Sequence, residues 1–548
     1  MAGGMAHKRF KPGSGGWYRA TGLYQMMALS GPAPRQLSLV PPDPWPGDAH
    51  HGQDLLNNRF RFAGQGFSGE TPPWLEPTAS APWLAEMHGF DWLRHLRATG
   101  GDAARRQARV LVSHWLDMFG KRWHPVAWAP DVLATRVTAW IGQHDFFLAS
   151  ADDELRARVF DSLARQVRFL EHTVPGRLKG AALLGTLKGM VYGGMCLSGL
   201  SRVTDRARAL LNRELPKQVL PDGGHIEHSP AAQLLVLRHL IDIRGCYRAG
   251  REDVPEAVQH AIDRMTPTLR FFRHGDGGLA LFNGAQEGEA VLIDTVLGQA
   301  DARGRPLKST PHIGFERITA GRTCILMDTG LPPAPGLDEH AHAGTLSFEM
   351  SIGRERLIVN CGAHPGDQGP WRAALAATAA HSTLTIDDTN SSGVNDEGGL
   401  SRRPAKVQVD RQDGDAGTLV DAHHDGYRDR GGIIHHRRLF LAESGEDLRG
   451  QDRLAGSAGH EFAVRFHLHP GVRVATLEDE AALLLRLPTG ALWKFRATGA
   501  EIETTDSIYL GQGADPRPTT QIVLRGTTQP GETLVKWGLR REGSDIDS

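Results

Sequence analysis

From about residue 83 to residue 272, apolar residues recur at three- and four-residue spacing in successive segments. The segments are 106–119, 130–149, 153–171, 178–200, 203–219, 230–247 and 254–272, with breakers such as Pro175-Gly176, Gly223-Gly224 and Gly250 between them. That rhythm predicts helical hairpins with short connections. Past about residue 303 the period falls to two. Runs at 323–328, 346–352, 356–360, 382–386, 406–411, 437–443, 461–469, 482–487, 491–496, 521–525 and 533–539 alternate apolar with polar residues. Many short strands of similar spacing predict a large antiparallel β-sandwich. Residues 1–80 follow neither period. Their Gly- and Pro-rich stretches, such as PPDPWP (41–46), predict an irregular arm wrapping a domain. The organisation expected is therefore an arm (1–80), a helical domain (81–303) and a sandwich (304–548), with the last boundary near Gly304.

At 548 residues the chain exceeds a single ordinary core. With 62 basic and 63 acidic side chains, the balance argues against a dedicated nucleic-acid or polybasic membrane surface. The four cysteines form no Cys-x-x-Cys pair, so buried free thiols are expected. No run is long and apolar enough for a transmembrane helix, and no secretory signal is recognisable. The cytoplasm is the expected location, with the periplasm as the alternative. The sequence leaves the oligomeric state open.

Candidate chemistry concentrates at His340 and His342, two residues apart before an alternating run, with His381 about forty residues on. On an extended segment both imidazoles of the pair point to one sheet face.

The helical half followed by a β half containing HAHAGTLSFEMSIGRERLIVNCG (340–362) and AAHSTLTIDD (379–388) resembles the heparinase II/III-like superfamily of polysaccharide lyases. Further likeness lies in MHGFDWLRHL (87–96), WHPVAWAPDVLATRVTAWI (123–141) and LPDGGHIEHSP (220–230). The resemblance implies an incomplete (α/α) toroid followed by an antiparallel sandwich, with an acidic polysaccharide or oligosaccharide bound in the groove between them. Uronate β-elimination needs a neutraliser for the carboxylate, a base for the neighbouring proton and an acid for the leaving oxygen.

By this resemblance His340 is the base or neutraliser; otherwise it is a structural or metal-bound histidine. His342 and His381 match positions that bind a structural zinc in some family members, where an aspartate stands at the position of Asn360. No cofactor is required, and the alternatives are a structural zinc on this weaker set or a hydrogen-bonded cluster. Tyr427, in a polar glycine-flanked segment, is the general-acid candidate; otherwise it packs at a sheet corner. His225 either enters the groove or sits in a capped loop. Arg136 and Trp140 share a helix face and, with Trp123, His124 and Trp128, form a carboxylate-holding and sugar-stacking wall or simply core. Arg437 or Arg438 offers a partner for a carboxylate, with Arg438 the substrate-binding candidate. The family's toroid Asn-His pair and its tyrosine fall here on Ala181, Ala182 and Ala232. Three readings remain: a rebuilt lyase site acting on a uronate glycan, an acidic-glycan-binding protein without chemistry, or another reaction on the same fold. Burial of Tyr427 or His340 away from the groove favours binding.

Overall fold

The computed structural model describes residues 29–302, 304–366, 370–477 and 482–543. The chain forms two compact units, one running to Leu215 and including His239–Gln259, the other formed by Pro216–Arg238 and the residues from His260 onward. Helix gives way to strand between the helix Ala290–Ala300 and the strand Ser309–Thr310. The units do not follow that change, because the last helical segments bond to the β half. Asp222 accepts the backbone N–H groups of His312 and Ile313 at 2.7 and 3.1 Å. His274 reaches Ser351 and Glu349 at 2.8 and 3.0 Å.

In the first unit, the stretch 1–28 of the expected arm lies outside the described residues. The remainder is more regular than its composition suggests, with a helix Ala49–Leu56 and a hairpin of Arg59–Phe62 with Gln65–Ser68. The Pro-rich stretch is pinned by side chains: the Trp45 indole donates to Asp242 at 2.6 Å, and Lys188 pairs with the same carboxylate at 3.1 Å. Helix starts carry the expected caps. Ser80 accepts from the Trp83 N–H before Ala81–Gly89, and Asp152 accepts from the Leu155 N–H before Asp153–Thr173. Pro130 opens Pro130–Gly142, where its missing N–H costs nothing. That helix packs against Gly180–Cys196 so closely that a Cβ on Gly189 would lie 2.6 Å from the Ala134 side chain. The core is aromatic: Trp83, Trp115, Trp140 and Phe90 are fully buried.

Among its described residues the second unit holds two antiparallel sheets. One has eight strands in the order Arg473–Leu477, Ala482–Arg486, Leu492–Thr498, Gly531–Arg541, Asp447–Gly456, Ile433–Ala442, Gly417–Tyr427 and Val407–Gly414. The other has nine; its path runs Glu501–Tyr509, Arg517–Thr527, Glu461–Leu468, Glu355–Val359, Phe348–Ile352, Thr323–Asp328, Phe315–Ala320 and Ser309–Thr310, with Leu384–Ile386 paired to Glu461–Leu468. Inward side chains of both sheets share one core, from Ile325, Phe348 and Phe466 to Leu439, Phe495 and Trp537. All four cysteines are free and buried. No described helix is long and apolar enough to cross a membrane.

A buried carboxylate anchors the sandwich. Asp452 accepts two bonds from Arg437, at 2.8 and 3.1 Å, one from the Trp537 indole at 2.8 Å and one from His435 at 2.7 Å. Arg437 spends its remaining nitrogen on the carbonyls of Leu346 and Ser382, at 2.9 and 2.8 Å. Burial alone would raise the Asp452 pKa. Arg437 and His435 outweigh it and hold the carboxyl well below the usual range.

Asp452→Ala leaves the Arg437 charge buried and alone, and chemical denaturation is expected to show a loss of about 3–5 kcal/mol. The double variant Arg437→Met, Asp452→Leu is expected to lose less than the sum of the single changes. A depressed carboxylate pKa contributes stability above the unfolded value of about 4 and loses it as pH falls through the folded value. Acid titration of Asp452→Asn is therefore expected to show a shallower stability loss below about pH 4 than the unsubstituted protein.

Candidate functional site

The segment carrying His340 and His342 is not extended. Glu339 and His340 lie in a turn, and the strand begins only at Phe348. Local hydrogen bonds explain the difference. Asp338 accepts the N–H groups of Gly336 and Leu400, its carbonyl accepts the Ala341 N–H, and Leu346 takes a left-handed φ of 61°. The two imidazoles therefore do not share a sheet face: His340 is exposed and His342 is buried.

Asn283 holds the loops together. In a left-handed conformation (φ 46°), its amide donates to the His228 carbonyl at 2.8 Å and its oxygen accepts the His342 N–H at 3.0 Å. Gly284 follows at φ 75°, and a Cβ there would lie 2.9 Å from the His340 Cβ, so His340 sits against bare backbone. Arg372 donates to the Glu339 carbonyl. An exposed imidazole and a half-buried guanidinium thus flank one short turn. Neighbouring His228 has its pKa lowered to about 4 by burial and is neutral at neutral pH.

Behind the turn, His342 Nδ1 and His381 Nε2 are 3.1 Å apart. His381 Nδ1 lies 2.8 Å from the Ala377 carbonyl, which only accepts, so that nitrogen carries the proton. His381 Nε2 then accepts the Nδ1 proton of His342. Burial lowers the His381 pKa to about 4 and that of His342 well below its ordinary value, so both rings stay neutral. Asn360 does not complete a metal site. Its amide oxygen accepts the Ser382 N–H at 3.0 Å and its amide nitrogen faces the Leu281 carbonyl at 3.4 Å. Among the described residues no group of three His, Cys, Asp or Glu is placed to hold a metal ion. Two imidazoles bonded to each other, with no anionic third donor, do not fit a structural zinc.

Several expected site residues lie elsewhere. Tyr427 belongs to the sandwich core at 1% exposure, and its hydroxyl donates to the Leu384 carbonyl at 2.5 Å. Burial pushes its pKa up, the opposite of what an acid catalyst needs. The corner-packing alternative is the observed one, and Tyr427 is not available to a sugar. His225 is also buried. Its pKa falls to about 3 through burial, and its ring lies among Gln218 and the Glu227 N–H. It packs inside its own turn, which Gln233 fastens by accepting the His225 N–H and donating to Gly223 and Met265 carbonyls. Gly223 is obligatory there: its φ is 78°, and a Cβ would lie 1.9 Å from the Arg264 carbonyl.

In the first unit, Arg136 is a core clamp. It lies 4.0 Å over the Trp115 ring and donates to Gln166 and to the carbonyls of His88 and Ala127. Trp140 is fully buried against Phe90 and Trp115, and the Trp128 indole is buried and donates to Phe119. His124 is half-buried against Phe119, and only Trp123 is strongly exposed. These residues form no substrate-holding wall. Arg438 is exposed on the outer sheet face and pairs with Asp421, while Arg437 meets the carboxylate of its own chain. Ala181 and Ala232 are buried methyl groups, and Ala182 is exposed.

Asn283, Arg372 and Glu349 escaped sequence reasoning. The Asn-Gly pair at 283–284 was a readable turn signal. Buried Glu349, which accepts the N–H groups of Asn360 and Leu281 and meets His274, had no local signature.

Residues 302–538 match the family model "Heparinase II/III-like, C-terminal". FtsZ-localized protein C of Caulobacter vibrioides is 34% identical over 536 residues, covering 93% of this chain and 91% of that protein. The crystal structure of heparinase III superposes with a TM-score of 0.75 at 14% identity, covering 96% and 89% of the two chains. A heparan sulfate lyase of Pedobacter heparinus (a mutant form) gives 0.61 at 15% identity, covering 90% and 82%. The fold is thus an incomplete (α/α) toroid followed by a large antiparallel β-sandwich. This protein belongs to the heparinase II/III-like superfamily.

Proposed function

We propose that this protein binds an anionic, uronate-containing glycan without cleaving it. One observation carries the reading. The four described tyrosines, Tyr192, Tyr247, Tyr427 and Tyr509, are each at most 3% exposed, so none of them is an accessible phenol for a leaving oxygen. Tyr18 and Tyr24 lie outside the described residues. The turn at 339–342 still offers what carboxylate recognition uses, the exposed His340 imidazole and the Arg372 guanidinium. The alanines at 181, 182 and 232 support the same reading. The competing reading is β-elimination with His340 as base and an acid other than the buried phenols.

A second proposal concerns context. The relative at 34% identity bears the name FtsZ-localized protein C, and likeness over 93% of the chain supports a role for this protein alongside an FtsZ assembly. We further propose that the His342–His381 pair works as a metal-free brace for the His340 turn.

Incubation with a panel of uronic polysaccharides is expected to give no new absorbance from an unsaturated uronate, while calorimetry detects binding to at least one of them. Steady release of unsaturated product would overturn the reading. His340→Ala and Arg372→Ala are each expected to weaken that binding by about tenfold, as loss of one charge-assisted contact does. Elemental analysis of the purified protein is expected to find no stoichiometric zinc, and a chelator is expected to leave the thermal midpoint unchanged. Co-sedimentation with polymerised FtsZ checks the proposed context; a protein that stays in the supernatant counts against it.

A further inference from the structure

The outward face of the eight-stranded sheet carries a second feature, far in sequence from the turn at 339–342. Strand pairing places Arg449 and Arg496 directly opposite Gly538 on its two sides. Side chains two apart along a strand share a face, so Lys536 and Arg540 are the neighbours of Gly538 along its own strand. Every nearest neighbour of this glycine on the outer face is therefore a cation. Arg449, Arg496, Lys536 and Arg540 are all exposed. Two strand spacings separate the arginines by about 10 Å across the sheet, and four residues separate Lys536 from Arg540 by about 13 Å along it.

The backbone does not demand a glycine at 538. A Cβ there would meet nothing closer than the Leu448 carbonyl at 3.4 Å, an ordinary contact. Glycine inside a strand weakens it, and clustered like charges on one sheet face add a further cost. What glycine provides is an empty position at the middle of a cationic frame. A concavity of about 430 Å³ opens there, floored partly by Phe440 and rimmed by Arg438 and Lys536. Asp421 and Asp447 pair with Arg438 and Arg449 at its margin, and none of the residues lining the concavity is a carboxylate.

We propose that this frame is an anion seat, in which Gly538 admits a sulfate or carboxylate group of a glycan chain lying across the strands. The proposal rests on the reading that the ligand is an anionic glycan, and it adds a second holding point for that ligand. Charge complementarity selects an anion. The position of the seat selects a glycan over an acidic peptide. The strand Gly531–Arg541 is paired on both sides, leaving no free edge for a peptide to add as a strand.

The test is binding of a size-defined heparin oligosaccharide to the full chain, compared with poly-glutamate of similar charge and with neutral dextran. Gly538→Glu fills the seat with a like-charged group, and Arg449→Ala, Arg496→Ala removes two sides of the frame. Both are surface changes; circular dichroism and the thermal midpoint verify that each variant folds. Each is expected to weaken heparin-oligosaccharide binding by about tenfold or more, with the residual affinity less sensitive to salt than that of the unsubstituted protein. Gly538→Ala, which the backbone tolerates but which puts a methyl group into the seat, is expected to weaken binding less than Gly538→Glu does. Unchanged binding in both variants, with loss confined to His340→Ala and Arg372→Ala, overturns the seat and leaves the glycan reading standing. Absence of glycan binding by the unsubstituted protein overturns both. Poly-glutamate binding more tightly than the oligosaccharide, with the same sensitivity to Gly538→Glu, overturns the glycan as occupant, and so does equal binding of neutral dextran.

Discussion

The second unit depends on one buried ion pair. Arg437 and Asp452 sit on neighbouring strands at zero exposure, where either charge alone would be costly. Their bidentate geometry, with His435 and Trp537 filling the remaining acceptor positions, removes that cost. The same guanidinium ties down the carbonyls of Leu346 and Ser382. Leu346 follows the turn that bears His340 and His342, and Ser382 follows His381. The charge balance of the sandwich interior and the placement of the candidate site are therefore one constraint.

Much of the architecture was legible because burial imposes a period. The helical segments between residues 83 and 272 and most strands after 303 showed it plainly. The strand Asp447–Gly456 did not, since its inward positions read Leu448, Gly450, Asp452 and Leu454. Gly450 is small because the Trp537 indole occupies its space, and Asp452 is polar because Arg437 faces it. Both reasons lie on other strands, so no local pattern discloses them. The site was less legible for the same cause. His340 stood out by composition and is exposed, but Tyr427, Arg136 and His225 carry chemically capable groups whose partners turn out to be their own chain. A polar side chain in a sequence states what it can bond to, not whether the fold has already supplied the partner.

The fold of the lyases is retained here, while each described tyrosine is buried. Fold and chemistry separate readily, because the sandwich core and its ion pair stabilise the scaffold regardless of what the loops present. Alanine at 181, 182 and 232 suits the framework, since small residues favour helices. The surface of the second unit still presents the His340 turn and the cations around Gly538.

Asn283 gives this arrangement one more property. A single carboxamide fastens two separate backbone stretches, at His228 and His342, and its own left-handed conformation suits asparagine better than most residues. Lengthening or shortening either stretch would break the clasp. Outward side chains such as His340 can therefore be exchanged without touching the clasp.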